Sequence, residues 1–281
     1  MLTRVVTAVV GFPLMAYVLI SGGRALDIAL MFVSWLGVCE FRKATTGRDG
    51  AVGQFVATLA LYAYFFWFLR GVIIADMPEI VMFVAAVIMA YGVVTVVSRG
   101  YSGSAAAAPR GSNEVFYAML TFAGFLYVAL MLGFVILVRQ MPGGAYLVWL
   151  VFISAWGSDT CAYFVGKALG RHKLCPSLSP SKTIEGAVGG VVGAAVIAML
   201  YGRAVTHFYP GAISVDIVML GVVVAFSAVM SIFGDLSASA IKRQAGIKDF
   251  GRVFPGHGGV LDRFDSVLFA APTFYILLSF I

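Results

Sequence analysis

Apolar residues run through this chain in long blocks separated by short polar breaks. Nine blocks stand out, at about 5–21, 26–40, 52–69, 80–97, 115–138, 145–165, 184–202, 215–236 and 266–280. Crossing ~30 Å of hydrocarbon takes ~20 apolar residues in a helix, and most of the blocks meet that length; the second and ninth are short. The pattern predicts an all-α integral membrane protein with about nine transmembrane helices. Between the blocks no segment is long enough for a soluble domain.

The Gly/Ser/Ala-rich segment Ser98–Ser112 reads as a flexible linker. It divides the chain into N-terminal membrane helices over 1–98 (spans one to four), a linker over 99–114, and a second membrane region over 115–281 (spans five to nine). The second region has polar loops at 166–184 and 237–265. Small residues after the first block (Ser21, Gly22, Gly23) resemble a signal-peptide boundary, but eight further blocks favour an uncleaved first helix.

Composition agrees: 11% of the 281 residues are charged, and mean hydropathy is +0.98, whereas soluble domains carry about 25% charge. If nine spans alternate sides, the N-terminus and the even-numbered connections hold fifteen of the nineteen Lys and Arg residues. Only Arg24, Arg70, Arg139 and Arg203 fall on the other side. That asymmetry places the N-terminus and the polar loops in the cytosol. A basic cytosolic face suits anionic lipid headgroups and nucleotides; nucleic acid is excluded as a partner because no module that binds it fits in these loops. Cys39, Cys161 and Cys175 share no metal-ligand spacing and imply neither disulfides nor zinc.

Chemistry concentrates in the second region. A carboxylate inside an apolar span costs ~2.5–3.5 kcal/mol on insertion scales, so Asp159, in span six, is a functional candidate; the alternative is a structural aspartate paired with a Lys or Arg of another helix. The loop Ser179–Gly186 offers hydroxyls, Lys182 and a helix start with Thr183 as N-cap. It reads either as a phosphate site or as a capped, solvated turn. Asp235, Ser239 and Lys242, at i, i+4 and i+7, share one face of a continuing helix. Gly256, Gly258 and Gly259 surround His257 in a turn that lets backbone fold over a ligand. Asp262 and Asp265 come next at i, i+3, with Arg263 between them. Glu40, beside Arg42 and Lys43, reads as an interfacial residue at the cytosolic end of span two, with a functional role as the lesser alternative. Carboxylates for a hard cation and basic side chains for phosphate oxygens make a combination suited to phosphoryl chemistry.

The stretch Ser239–Asp265, with Ile241, Lys242, Arg243, Lys248, Asp249, Gly251, Phe254, Pro255, His257, Gly258, Gly259, Val260, Asp262, Arg263 and Phe264 at their spacings, resembles the signature of the CDP-diacylglycerol synthase (phosphatidate cytidylyltransferase) family. Asp159, Ala162, Tyr163, Gly166 and Lys167, then Ser179, Pro180, Lys182, Thr183, Glu185 and Gly186, resemble a second block of that family; Ser181 departs from its commoner Lys or Gly. The likeness covers Ser158–Asp265, with only hydropathy and the Arg4–Ala8 start matching upstream.

The resemblance implies CTP + phosphatidate → CDP-diacylglycerol + pyrophosphate, in phospholipid biosynthesis. It implies dependence on Mg²⁺ (one or two ions, with room for a further cation) and a homodimer in the inner membrane of a bacterium, facing the cytosol. It implies metal binding at Asp235 and Asp262 and phosphate or nucleotide contacts at Ser179, Lys182, Thr183, Lys242, Arg243, Lys248 and His257. The residues themselves add Asp159 as a nearby third carboxylate, Arg243 or Arg263 for the lipid phosphate, and Glu185 and Ser239 as further substrate contacts. Asp235, Asp262, Lys242 and Asp159 thus form the expected catalytic set. Asp249 and Asp265 are expected to support Lys248 and Arg263. The nearest rivals are another CTP-using lipid enzyme, such as a polyprenol kinase or an ether-lipid synthase, and, from a different class, an ion-coupled transporter using Asp159 and Asp235.

Overall fold

The structure, a computed structural model, describes residues 2–46, 123–254, 256 and 258–281. Spans three and four, the 99–114 linker and His257 lie outside the described residues.

Among the described residues, seven helices and one hairpin occur in order. They are α1 (Leu2–Ser21), α2 (Gly23–Thr46), α3 (Ala123–Gln140), α4 (Gly144–Leu169), β1 (Lys173–Cys175), β2 (Ser179–Thr183), α5 (Ile184–Phe208), α6 (Ile217–Ala245) and α7 (Leu261–Ser279). Among the described residues four helices, α3 to α6, are long and apolar enough to cross a membrane. The helices outrun their apolar blocks. α2 extends past both ends of 26–40, α6 continues nine residues beyond 236, and α7 starts five residues before 266. Hydrogen-bonded helix thus carries Glu40, Lys242 and Asp262, which hydropathy assigns to block ends or loops.

The all-α expectation takes one amendment. Within 166–184, β1 and β2 pair antiparallel, Lys173 opposite Thr183 and Cys175 opposite Ser179. Leu178, at the turn, is buried with Leu236 and Ala240 of α6, and Leu174, Cys175 and Ile232 pack around them. Burial of this small apolar cluster holds the hairpin on α6.

The described residues form two compact units. One comprises 2–46, 123–136 and 241–264 (without 255 and 257); the other comprises 137–240 and 265–281. In the first, α2 packs on α3: Phe41 and Tyr127 rings lie 5.8 Å apart, and Val128, Met131, Leu132 and Phe134 are almost wholly buried. In the second, α4 and α5 meet along a glycine face. A Cβ on Gly190 would sit 2.7 Å from the Ser158 carbonyl oxygen, and one on Gly186 would sit 2.9 Å from that of Ala162. Without side chains there, the backbones approach closely, as small-residue faces of membrane helices do.

Just before Asp159, α4 makes a π-turn over Ile153–Gly157. Such a turn adds a residue to the helical repeat and re-aims the side chains after it. Ser231 Oγ of α6 lies 3.4 Å from the Ser154 carbonyl of this turn.

Candidate active site

In the second unit, three helices and the hairpin bring a set of polar groups together. Lys182, on β2, forms an ion pair through Nζ with Asp235 Oδ2 of α6, and both side chains remain 23% exposed. The hairpin's apolar cluster, which includes Leu236, sets β2 beside Asp235. On the next turn of α6, Ser239 Oγ lies 3.4 Å from Asp235 Oδ1. Asp159 Oδ2 accepts a hydrogen bond from Ser266 Oγ of α7 at 3.2 Å.

Burial alone lowers the Lys182 pKa, but the Asp235, Asp159 and Asp265 carboxylates outweigh it, and the ammonium ends above its ordinary 10.5. Asp265 is itself buried and accepts from the Ser266 backbone N–H at 2.8 Å. Its charge thus belongs to the field around Lys182, a role the sequence does not suggest. α6 and α7 come close here, since a Cβ on Gly234 would touch the Asp265 carbonyl.

The first unit holds a second cation–carboxylate pair. Lys242 Nζ donates to Asp262 Oδ1 at 2.9 Å, with only 12% and 3% of the two side chains exposed. Asp262 Oδ2 accepts the backbone N–H groups of Phe250 at 2.8 Å and Gly259 at 2.9 Å. Lys242 also lies 5.4 Å from the Phe250 ring centroid, a cation–π distance. The glycine turn folds back on itself as Phe254 N–H donates to the Gly258 carbonyl at 3.0 Å, and Gly258 takes φ +85°. A positive φ of that size suits glycine.

The remaining sequence-derived positions take various parts. Ser179, Lys182 and Thr183 lie on β2. Thr183 Oγ1 caps α5, accepting the Gly186 N–H at 3.1 Å, so this hydroxyl already holds the hairpin to the helix. Glu185 accepts the Arg171 and His172 backbone N–H groups at 3.1 and 3.2 Å and pairs with His172 Nδ1 at 2.6 Å. It therefore ties the start of the hairpin to α5, where the sequence reading expects a substrate contact. Arg243, Lys248, Asp249 and Arg263 are exposed. Sequence reasoning also missed Ser266 and gave Glu40 too little: Glu40 is buried and accepts hydrogen bonds from Val260 and Leu261.

Hard cations take carboxylate oxygens, and Mg²⁺ typically uses one or two carboxylates with substrate phosphates supplying the rest. Among the described residues no three His, Cys, Asp or Glu side chains form a ready-made metal cage. Asp235 and Asp262 still fit such a role. An ionised carboxylate has about four acceptor positions, and these bonds leave Asp235 and Asp262 at least one each. A lysine now balances the charge of each.

Four long apolar helices among the described residues define the class, a helical membrane protein, and two of its lysines are paired with carboxylates. The chain belongs to the Cytidylyltransferase family, whose match spans residues 2–281. Phosphatidate cytidylyltransferase of Thermotoga maritima is 30% identical over 283 residues, covering 99% of this chain and 96% of that protein. The Bacillus subtilis protein of the same name is 38% identical over 155 residues, 55% of each chain. That of Staphylococcus aureus is 41% identical over 150 residues, 52% of this chain and 54% of the other.

Proposed function

We propose that this protein is a phosphatidate cytidylyltransferase, converting CTP and phosphatidate to CDP-diacylglycerol and pyrophosphate. The observation that carries the reading is the likeness to the Thermotoga maritima enzyme over nearly the full length of both chains. The geometry supports it, because two polyanions can react only where cations offset their charge, and Lys182 and Lys242 are held ready by carboxylates.

The nucleophile is the phosphate of phosphatidate. A phosphate monoester has a second pKa near ~6, so it is largely dianionic at neutral pH and needs no general base. One of its oxygens attacks the α-phosphorus of CTP. As that P–O bond forms, the bond from the α-phosphorus to the bridging oxygen breaks, and pyrophosphate leaves with that oxygen.

Within its own unit, each of Lys182 and Lys242 turns from its aspartate to a substrate phosphate oxygen, which frees acceptor positions on Asp235 in the one and on Asp262 in the other. Each of those two aspartates would offer oxygens to Mg²⁺, with Asp159 adding charge beside Asp235. When bound, the ion supplies charge neutralisation and Lewis acidity at the phosphates. Preorganised charge of this kind is the main rate-raising term available to such a transfer. Arg243 or Arg263, both exposed, meets the lipid phosphate, while the acyl chains stay in the bilayer.

We also propose nine spans with the N-terminus and both polar loops in the cytosol of a bacterium, on the strength of the Lys/Arg asymmetry.

Purified protein given labelled CTP, phosphatidate and Mg²⁺ is expected to release pyrophosphate and form CDP-diacylglycerol. Release of CDP instead would mark a kinase and overturn the assignment. Asp235→Asn and Asp262→Asn should each lower turnover by about a hundredfold or more, the scale at which loss of one electrostatic stabiliser is felt. Near wild-type turnover at saturating Mg²⁺ would refute the metal role.

A further inference from the structure

We propose that Glu40, on α2, is a positioning residue that sets Asp262 for the reaction by clamping the glycine turn before it. The inference rests on the cytidylyltransferase reading for its functional part and on geometry for the rest.

Asp262 lies in the first turn of α7. A helix start leaves N–H groups without partners inside the helix, and they are usually met by a Ser, Thr, Asp or Asn at the N-cap. Here the residue before the helix is Val260, flanked by Gly259 and Leu261, and none of the three has a side chain that accepts a hydrogen bond. The acceptor comes from 220 residues away. Glu40 Oε1 accepts the Val260 N–H at 3.0 Å, and Oε2 accepts the Leu261 N–H at 2.8 Å. A carboxylate at a helix N-terminus is also favoured by the helix dipole.

Two carboxylates therefore grip one turn. Glu40 binds its Val260 and Leu261 amides, and Asp262 binds its Gly259 amide together with that of Phe250. The orientation of Asp262, and through it the position of Lys242, depends on the backbone that Glu40 fixes.

The same contact explains glycine at two positions. A Cβ on Gly251 or Gly259 would overlap the Glu40 carboxylate oxygens. Neither glycine has a positive φ, so the glycines are needed for Glu40 rather than for backbone conformation. Glu40 is 7% exposed, and a buried carboxylate with both oxygens committed to amides is poorly described as an interfacial charge.

The test uses full-length protein and four variants: Glu40→Gln, Glu40→Ala, Gly259→Ala and the Glu40→Ala/Gly259→Ala double. Hydrogen exchange of the Val260 and Leu261 amides reads the clamp without reference to activity. Exchange should rise about tenfold to a hundredfold in Glu40→Gln, whose amide leaves one buried N–H without an acceptor; α5 should be unaffected. CDP-diacylglycerol formation reads the consequence, with kcat expected to fall about tenfold or more and KM for CTP to move less, since an interaction that aligns a reacting group is felt mainly in kcat.

Gly259→Ala alone should match that loss. Added to Glu40→Ala it should cost less than about twofold more, because contacting residues are not additive. Wild-type exchange and kcat in Glu40→Gln would overturn the proposal, and so would losses that simply multiply in the double variant. Faster exchange in Glu40→Gln, with no CDP-diacylglycerol formed even by wild type, would uphold the clamp and refute the cytidylyltransferase reading instead.

Discussion

At the scale of single residues, the chain places lysines against carboxylates, and the sequence announces only half of each arrangement. Asp159, Asp235, Lys182 and Lys242 are legible because a charge in or beside an apolar span has few bland explanations. Glu40 is not legible as a partner of the Val260–Leu261 backbone, because hydropathy carries no information about contacts 220 residues apart. Lys182 yields a pH prediction. Its folded pKa lies above the ordinary 10.5, so its stabilising contribution is fully present below that value and is lost as pH rises through the folded pKa. Lys182→Met should lower stability by about 1–3 kcal/mol, less than a fully buried pair because both partners keep some solvent contact. Thermal unfolding of the two proteins in detergent should show a constant gap from about pH 6 to 9 and a shrinking one above about pH 10.5. A gap that widens in alkali would contradict the pairing.

At the scale of elements, apolar blocks locate the helices but not their ends. A helix continues wherever its backbone hydrogen bonds do, and Lys and Arg tolerate the helical state well, so α6 carries Lys242 and Arg243 beyond its apolar part. The hairpin escapes sequence reading for a different reason. β1 and β2 are short and Pro180 sits in the second, so local propensity gives little sign of strand; pairing and burial of Leu178 on α6 decide the matter. The glycine face between α4 and α5 offers a direct check. Gly190→Ala should cost about 1–3 kcal/mol, the usual penalty for overpacking, because its Cβ would press on the Ser158 carbonyl. Gly11→Ala, in α1 with open space around it, should be neutral or stabilising by up to about 1 kcal/mol. Equal effects of the two on the unfolding temperature would argue against close α4–α5 packing.

At the scale of the whole molecule, Lys and Arg counts carry the proposed topology, nine spans with the polar loops in the cytosol. In a cysteine-free background, Arg252→Cys should react with an impermeant maleimide only after the cells are opened, and Arg203→Cys should react in intact cells. The reverse pattern would invert the orientation. The motif resemblance and the family match over residues 2–281 lead to the same chemistry. The step that defines this chemistry is attack by a phosphatidate oxygen on the α-phosphorus of CTP. The most direct test is phosphatidate carrying ¹⁸O in its phosphate group, incubated with CTP and the purified protein. ¹⁸O is expected in the bridge of the CDP-diacylglycerol pyrophosphate linkage, with none in the released pyrophosphate. Unlabelled bridging oxygen, or label in the pyrophosphate, would contradict attack by the lipid phosphate on the α-phosphorus of CTP.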